Sequence, residues 1–222
     1  MPDEQPTLTF RKLNTPRAAA LAGILFALLF GSTVVLIRLS IPTDPADNGA
    51  WLKERAGTVS LALSLLPFAG IAFLWFMGVV RDRIGHLEDQ LFSTVFFGSG
   101  LLFLALTFVD AAFVGGALAS YAVSPSRLMQ SGTYTLVREV MFRIMNVYAV
   151  KMASVFMISL GTIWVRTQVM PRLLALLTCF LALGLLLSTG ANRWVALIFP
   201  AWVGAVSVYI LASNLRTPAV RS

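Results

Sequence analysis

Residues 59–80 read "VSLALSLLPFAGIAFLWFMGVV" and residues 91–118 read "LFSTVFFGSGLLFLALTFVDAAFVGGAL", with the charged stretch "RDRIGHLEDQ" between them. Each apolar run reaches the length of about 20 residues that a helix needs to cross the hydrocarbon core of a bilayer. The charged stretch is only long enough for a turn. The pattern therefore predicts two membrane-spanning helices joined by a tight, water-exposed connection.

The composition of the whole chain also indicates a membrane protein. Of its 222 residues, 58% are hydrophobic and 12% are charged, which is more apolar than a soluble domain of this length can bury. The formal net charge is +7, but the basic residues stand mostly beside apolar runs, where they act as topology signals and contact lipid head groups. We therefore expect membrane lipids as partners and no nucleic acid.

Six apolar runs are long enough to span a membrane, and they predict an all-α, polytopic membrane protein built as a bundle of six transmembrane helices. We place these helices near 18–38, 57–82, 89–119, 138–166, 171–189 and 194–214. They form a single domain over 17–215. A flexible cytoplasmic tail of 1–16 precedes it, and a cytoplasmic tail of 216–222 follows it.

Lysine and arginine residues beside the predicted helix ends indicate the orientation. An N-terminus in the cytoplasm puts more of these residues on the cytoplasmic side than on the other side. Because basic residues concentrate in cytoplasmic loops, this distribution favours an N-in and C-in topology. The two longest connections, 40–57 and 119–135, then lie on the outer side.

The charged turn has more than one interpretation. Its charged residues and its histidine are Arg81, Asp82, Arg83, His86, Glu88 and Asp89. In a helix, Asp82, His86 and Asp89 would share one face with a spacing that suits a metal ion. In a hairpin, the arginines stabilise the end of the second helix, and the acidic residues stabilise the start of the third. We favour the hairpin over a metal site or a partner-docking surface, and we assign no metal.

Polar residues inside the predicted helices form the candidate functional site. They are Asp110, Glu139, Arg143, Asn146 and Lys151. At about 100° per residue, Glu139, Arg143 and Asn146 share one face of the fourth helix. Asp110 of the antiparallel third helix can reach Arg143, and Lys151 is the most deeply placed charge. This polar stripe either fixes the helix register, lines a vestibule for an anionic solute or lipid head group, or contacts another subunit.

The residue types argue against several kinds of catalysis. The chain has one histidine, His86, and one cysteine, Cys179, so a bis-histidine haem site and an intramolecular disulfide are both excluded. The sequence contains no nucleotide-binding motif, and no serine or cysteine nucleophile has a suitable histidine base. We expect no catalytic residues and no cofactor.

Residues 78–105, "GVVRDRIGHLEDQLFSTVFFGSGLLFLA", resemble a segment of uncharacterised multi-pass membrane proteins of bacteria, of the actinobacterial type. The resemblance implies a location in the bacterial inner membrane, which is the plasma membrane. It brings no functional residues with it.

These observations favour a membrane protein without catalytic activity of its own. Small residues at intervals of three or four, such as those near Gly98 and Gly115, allow helices to approach closely. We therefore expect an accessory or structural subunit that packs with itself or with other membrane protein subunits. The alternative is a small transporter or channel for an anionic or amphipathic solute, which uses the polar stripe of the fourth helix. A membrane enzyme that acts on lipid is the third interpretation.

Overall fold

The computed structural model describes residues 15–42, 49–84, 90–188, 192 and 194–216, and these residues form helices without any strand. The helices are α1 (Thr15–Ser40), α2 (Trp51–Glu54), α3 (Ala56–Ile84), α4 (Gln90–Val123), α5 (Pro125–Gln130), α6 (Thr133–Arg143), α7 (Val150–Thr167), α8 (Arg172–Leu187) and α9 (Ile198–Arg216). A π-helical segment, Ile144–Ala149, joins α6 to α7. A short 3-10 helix, Val195–Leu197, leads into α9.

Five helical stretches of the described chain are long and apolar enough to cross a membrane. They are Arg17–Ser40, Ala56–Arg81, Leu91–Val123, Thr133–Thr167 and Val195–Ser213. The helix predicted near 171–189 is α8, which has 16 residues. At 1.5 Å per residue it extends about 24 Å, less than the hydrocarbon core of about 30 Å. The all-helical class is confirmed, with five helical stretches that could span a membrane and one shorter apolar helix in the described residues.

Neighbouring long helices run antiparallel. α1 packs along α3 and α9, and α7 packs along α4 and α8. Gly23 of α1 lies against Ser207 of α9, and Ala27 of α1 lies against Gly204, so the two chain segments run in opposite directions. The start of α1 and the end of α9 therefore lie at the same end of the bundle.

Phenylalanine rings from five helices fill the centre of the bundle. The ring of Phe73 in α3 is fully buried. Its centroid lies 4.7 to 5.7 Å from four others, those of Phe26 in α1, Phe103 in α4, Phe156 in α7 and Phe199 in α9. Two of these four pairs are edge-to-face and the other two are tilted, consistent with the arrangements that aromatic rings prefer. We call these five rings and Phe30, which contacts Phe26 and Phe103, the aromatic core.

A second hydrophobic cluster lies at the end of the bundle where α4 ends and α6 begins. We call it the cap cluster, and it consists of Trp51, Leu52, Val59, Val114, Ala117, Leu128 and Tyr134. The indole N–H of Trp51 donates to the Tyr134 hydroxyl at 2.8 Å, which satisfies a buried donor. The two long connections expected from the sequence thus contain the short helices α2 and α5, the end of α4 and the start of α6.

Candidate functional site

A cavity of about 260 Å³ lies between the aromatic core and the cap cluster. Phe30 of the aromatic core and Val114 of the cap cluster both line it. Its walls come from α1, α4 and α6 with the π segment, and Leu66 of α3 adds to them. The cavity lies between α1 on one side and α4 and α6 on the other.

The lining changes from buried to exposed along the cavity. Phe30, Thr33 and Leu66 are almost completely buried, whereas Glu139 and Phe142 are exposed. The rest of the wall is mainly apolar and includes Val34, Ile37, Ala111, Val114, Met141 and Met145. The cavity therefore has a closed, apolar inner end and a mouth that carries charge.

The π segment presents Asn146 to the cavity. Asn146 is only 2% exposed, and its Nδ2 donates to the Phe142 carbonyl oxygen at 2.9 Å. Its Oδ1 accepts a hydrogen bond from the guanidinium of Arg38, which lies near the end of α1. A π-helical turn inside an α-helix is frequent at functional sites. Here the charge-assisted bond connects α1 to the fourth long helix across the cavity.

Asp110 of α4 lines the same cavity. Its Oδ1 is shielded from solvent and accepts no hydrogen bond from the described part of the chain. The guanidinium of Arg38 lies close enough for its positive charge to act on the Asp110 carboxyl. A buried acceptor without a donor is energetically costly. Asp110 therefore offers an acceptor that a ligand can use.

Arg138 and Glu139 add one charge of each sign to the lining. With Arg38 and Asp110, the described lining carries two positive and two negative side chains. It contains no histidine and no cysteine within the described residues. These guanidinium, carboxyl and amide groups pair charges and exchange hydrogen bonds, which suits the binding of a polar group rather than covalent chemistry.

The structure brings together three of the five predicted site residues. Asp110, Glu139 and Asn146 line the cavity. Arg143 is exposed, Lys151 is partly buried, and neither belongs to the lining. The basic residue that acts on the Asp110 carboxyl is Arg38, which corrects the expected pairing of Asp110 with Arg143.

The sequence does not identify Arg38 and Arg138 as site residues. For the predicted topology, both count only as basic residues beside helix ends. For Arg38 a signal exists, because it follows the first apolar run, "AAALAGILFALLFGSTVVLI", without an intervening residue. It thus remains on α1, where its long side chain reaches the interior of the bundle.

The charged turn lies only partly within the described residues. His86, Glu88 and Asp89 lie outside them, and Asp82 and Arg83 belong to the last turn of α3. The guanidinium carbon of Arg81 lies 4.9 Å from the centroid of the Phe97 ring, a cation–π contact between α3 and α4. Elsewhere in the described chain, no three histidine, cysteine or acidic side chains come together as ligands for a metal ion.

The five long apolar helices indicate a multi-pass membrane protein. Compared with protein-family models, curated proteins and solved structures, the chain matches none of them.

Proposed function

We propose that the chain crosses the plasma membrane of a bacterium six times, with both ends in the cytoplasm. Arg81, Arg166 and Arg172 belong to the end of the bundle where α1 begins, and basic residues favour the cytoplasmic side. Although α8 has only 16 residues, local thinning of the bilayer lets a short apolar helix cross. Labelling of single cysteines placed at Arg17 and Arg127 from either side of the membrane tests the topology. Labelling of both from one side would contradict it.

We further propose that the cavity binds an amphipathic molecule and that the protein is a small transporter for it. The observation that carries this proposal is the position of Arg38, Asp110 and Asn146 in a cavity with mostly apolar walls. Charged residues inside membrane bundles are costly and usually functional. Ligand sites combine apolar walls with a few convergent polar groups, as this cavity does.

The aromatic core favours a carrier over a channel. Phe30 lines the inner end of the cavity, and its ring contacts Phe26 and Phe103 at centroid distances of 5.3 and 5.5 Å. These rings fill the bundle immediately below the cavity. Passage beyond Phe30 requires the helices to rearrange, so we favour a carrier that alternates between conformations over an open pore.

Filling the cavity tests whether it holds a ligand. Ala111 lines the cavity, whereas the next residue on α4, Ala112, is exposed. Ala111→Phe is expected to displace the ligand, and Ala112→Phe is the matched control that should retain it. Native mass spectrometry of protein purified in mild detergent measures the retained molecule, with equal melting temperatures of the two variants as the check on folding. Equal retention by both variants would contradict the proposal.

A second function, that of an accessory subunit, is favoured by α8. Five large side chains of this short helix are more than half exposed: Leu173, Leu176, Leu177, Phe180 and Leu187. A helix shorter than the hydrocarbon core is stabilised by association with other helices. We propose that this face packs against a second copy of the chain or against a larger membrane complex. A pull-down in gentle detergent with a C-terminal tag tests this, and a monomer that carries only lipid would argue against it.

A further inference from the structure

We propose, as an extension of the proposed amphipath binding, that the cavity takes a zwitterionic head group whose ammonium retains at least one N–H, with an anionic phosphate or carboxylate beside it. The ethanolamine phosphate head group of a membrane lipid and a free zwitterion such as phosphoethanolamine share this chemistry.

The open acceptor on Asp110 suits an N–H donor from the ligand. Asp110 Oδ1 is shielded from solvent and accepts no hydrogen bond from the described residues. A carboxylate oxygen accepts strong, charge-assisted bonds from ammonium N–H groups. A quaternary ammonium has no N–H and leaves this oxygen without a donor. Asp110 therefore distinguishes a primary, secondary or tertiary ammonium from a quaternary one.

The charge balance requires an anionic group beside the ammonium. Within the described residues, the lining carries Arg38 and Arg138 as positive groups and Asp110 and Glu139 as negative groups, so these four charges balance. A ligand of net charge would leave one charge uncompensated among these four groups. A zwitterion brings both signs. Its phosphate or carboxylate suits the guanidinium groups, which bind planar or tetrahedral oxyanions well.

The size of the cavity agrees with a head group. An apolar protein cavity of about 150 Å³ holds benzene, so the 260 Å³ found here holds about ten non-hydrogen atoms. Ethanolamine phosphate has about eight non-hydrogen atoms and therefore fits this volume. The acyl chains of a lipid would remain outside the mouth, beside the exposed ring of Phe142.

The test varies only the number of N–H groups on the ligand. Purified protein is reconstituted in phosphatidylglycerol vesicles that contain equal amounts of phosphatidylethanolamine and its mono-, di- and trimethylated forms. The lipids retained after mild detergent extraction are then quantified by native mass spectrometry. We expect the first three to be retained to a similar extent and the trimethylated form about tenfold less, as befits the loss of one charge-assisted bond. A smooth decline with each methyl group, or preferential retention of phosphatidylglycerol, would overturn the proposal.

The variant Asp110→Asn removes the charge and keeps the shape of the side chain. We expect it to reduce the difference in retention between the dimethylated and trimethylated lipids to about twofold or less. Ala112→Phe is the control, in which the roughly tenfold difference in retention should persist. If Asp110→Asn does not fold, the methylation series on the natural protein still decides. Persistence of the full difference in retention in a folded Asp110→Asn protein would overturn the role of Asp110.

A parallel measurement separates the two sources of the ligand. In vesicles without ethanolamine lipids, soluble phosphoethanolamine and phosphocholine are added and the melting temperature is recorded. Selective retention of ethanolamine lipid supports the lipid source, and stabilisation by phosphoethanolamine alone supports the free zwitterion. If Ala111→Phe displaces a ligand but the number of N-methyl groups does not change its retention, this inference is overturned. The proposed function is not contradicted by that result. The absence of any cavity ligand overturns both.

Discussion

Replacement of Asn146 by leucine tests whether Arg38 and the π segment are coupled across the cavity. Leucine is close to asparagine in size but cannot exchange hydrogen bonds, so the Arg38 guanidinium loses an acceptor and the Phe142 carbonyl loses a donor. Side-chain hydrogen bonds in membrane bundles contribute about 0.6 kcal/mol on average and up to about 1.7 kcal/mol. Because two bonds are lost and one involves a charge, we expect Asn146→Leu to lower the free energy of unfolding by about 2 kcal/mol.

A double-mutant cycle isolates the part of this loss that belongs to the bond with Arg38. Arg38→Met keeps the apolar stem of the side chain and removes the guanidinium. Since Asn146 is buried and Arg38 is only partly buried, we expect a coupling energy of about 1 to 1.5 kcal/mol between the two substitutions. Reversible unfolding of the four proteins in mixed micelles of mild detergent and dodecyl sulfate, followed by circular dichroism, gives the four free energies.

Arg143 supplies the control for this cycle. It stands three residues before Asn146 on the same long helix, but its side chain is exposed and lies outside the cavity lining. We expect Arg143→Met and Asn146→Leu to be additive within about 0.5 kcal/mol. A coupling energy between Arg38 and Asn146 below about 0.5 kcal/mol would contradict a bond across the cavity. A larger coupling energy for Arg143 than for Arg38 would contradict it as well.

Three further predictions, which use four substitutions, test the packing of the helix bundle. Phe73→Ala removes a fully buried ring that contacts four others. Because a void replaces the ring, the free energy of unfolding should fall by about 2 to 4 kcal/mol. A loss below about 1 kcal/mol would show that the aromatic core is loosely packed. Gly161→Ala puts a methyl carbon 2.7 Å from the Cys179 sulfur of α8 and should destabilise the protein by about 1 to 3 kcal/mol. The methyl carbon of Gly184→Ala meets nothing within 4 Å, so this control should be neutral or slightly stabilising. Trp51→Phe removes the 2.8 Å bond to Tyr134 and should lower the melting temperature by the equivalent of about 1 kcal/mol; no change would mean that this bond adds nothing to the cap cluster.

The long helices are the part of the fold that the sequence predicts well. Uninterrupted apolar runs require helices in a membrane, because every backbone polar group must be satisfied internally. The predicted helix at 57–82 thus corresponds closely to Ala56–Ile84. The connection at 119–135 is harder to predict, because its serine, glycine and tyrosine residues give no helical periodicity. Yet Pro125 begins α5, where a first-turn proline is favoured.

The candidate site is predicted only in part, for two physical reasons. A helical wheel describes one helix, so it selects Asn146 but contains no information about Arg38, which reaches the cavity from α1. The wheel also assumes a constant angle per residue, and the π segment Ile144–Ala149 breaks that assumption. A wider turn shifts the phase of every later residue. Lys151 comes after that turn and lies outside the lining.

The depth of the cavity connects its charges with the kind of ligand proposed for it. Arg38 stands two residues before Ser40, the last residue of α1. Arg38 therefore belongs to the level where the first span ends, close to the interface and away from the bilayer centre. The cost of a charge falls steeply toward the interface, which makes four charged side chains tolerable there. Lipid head groups reside at this same level, so a site of this charge and depth suits a head group better than a solute bound at the midplane.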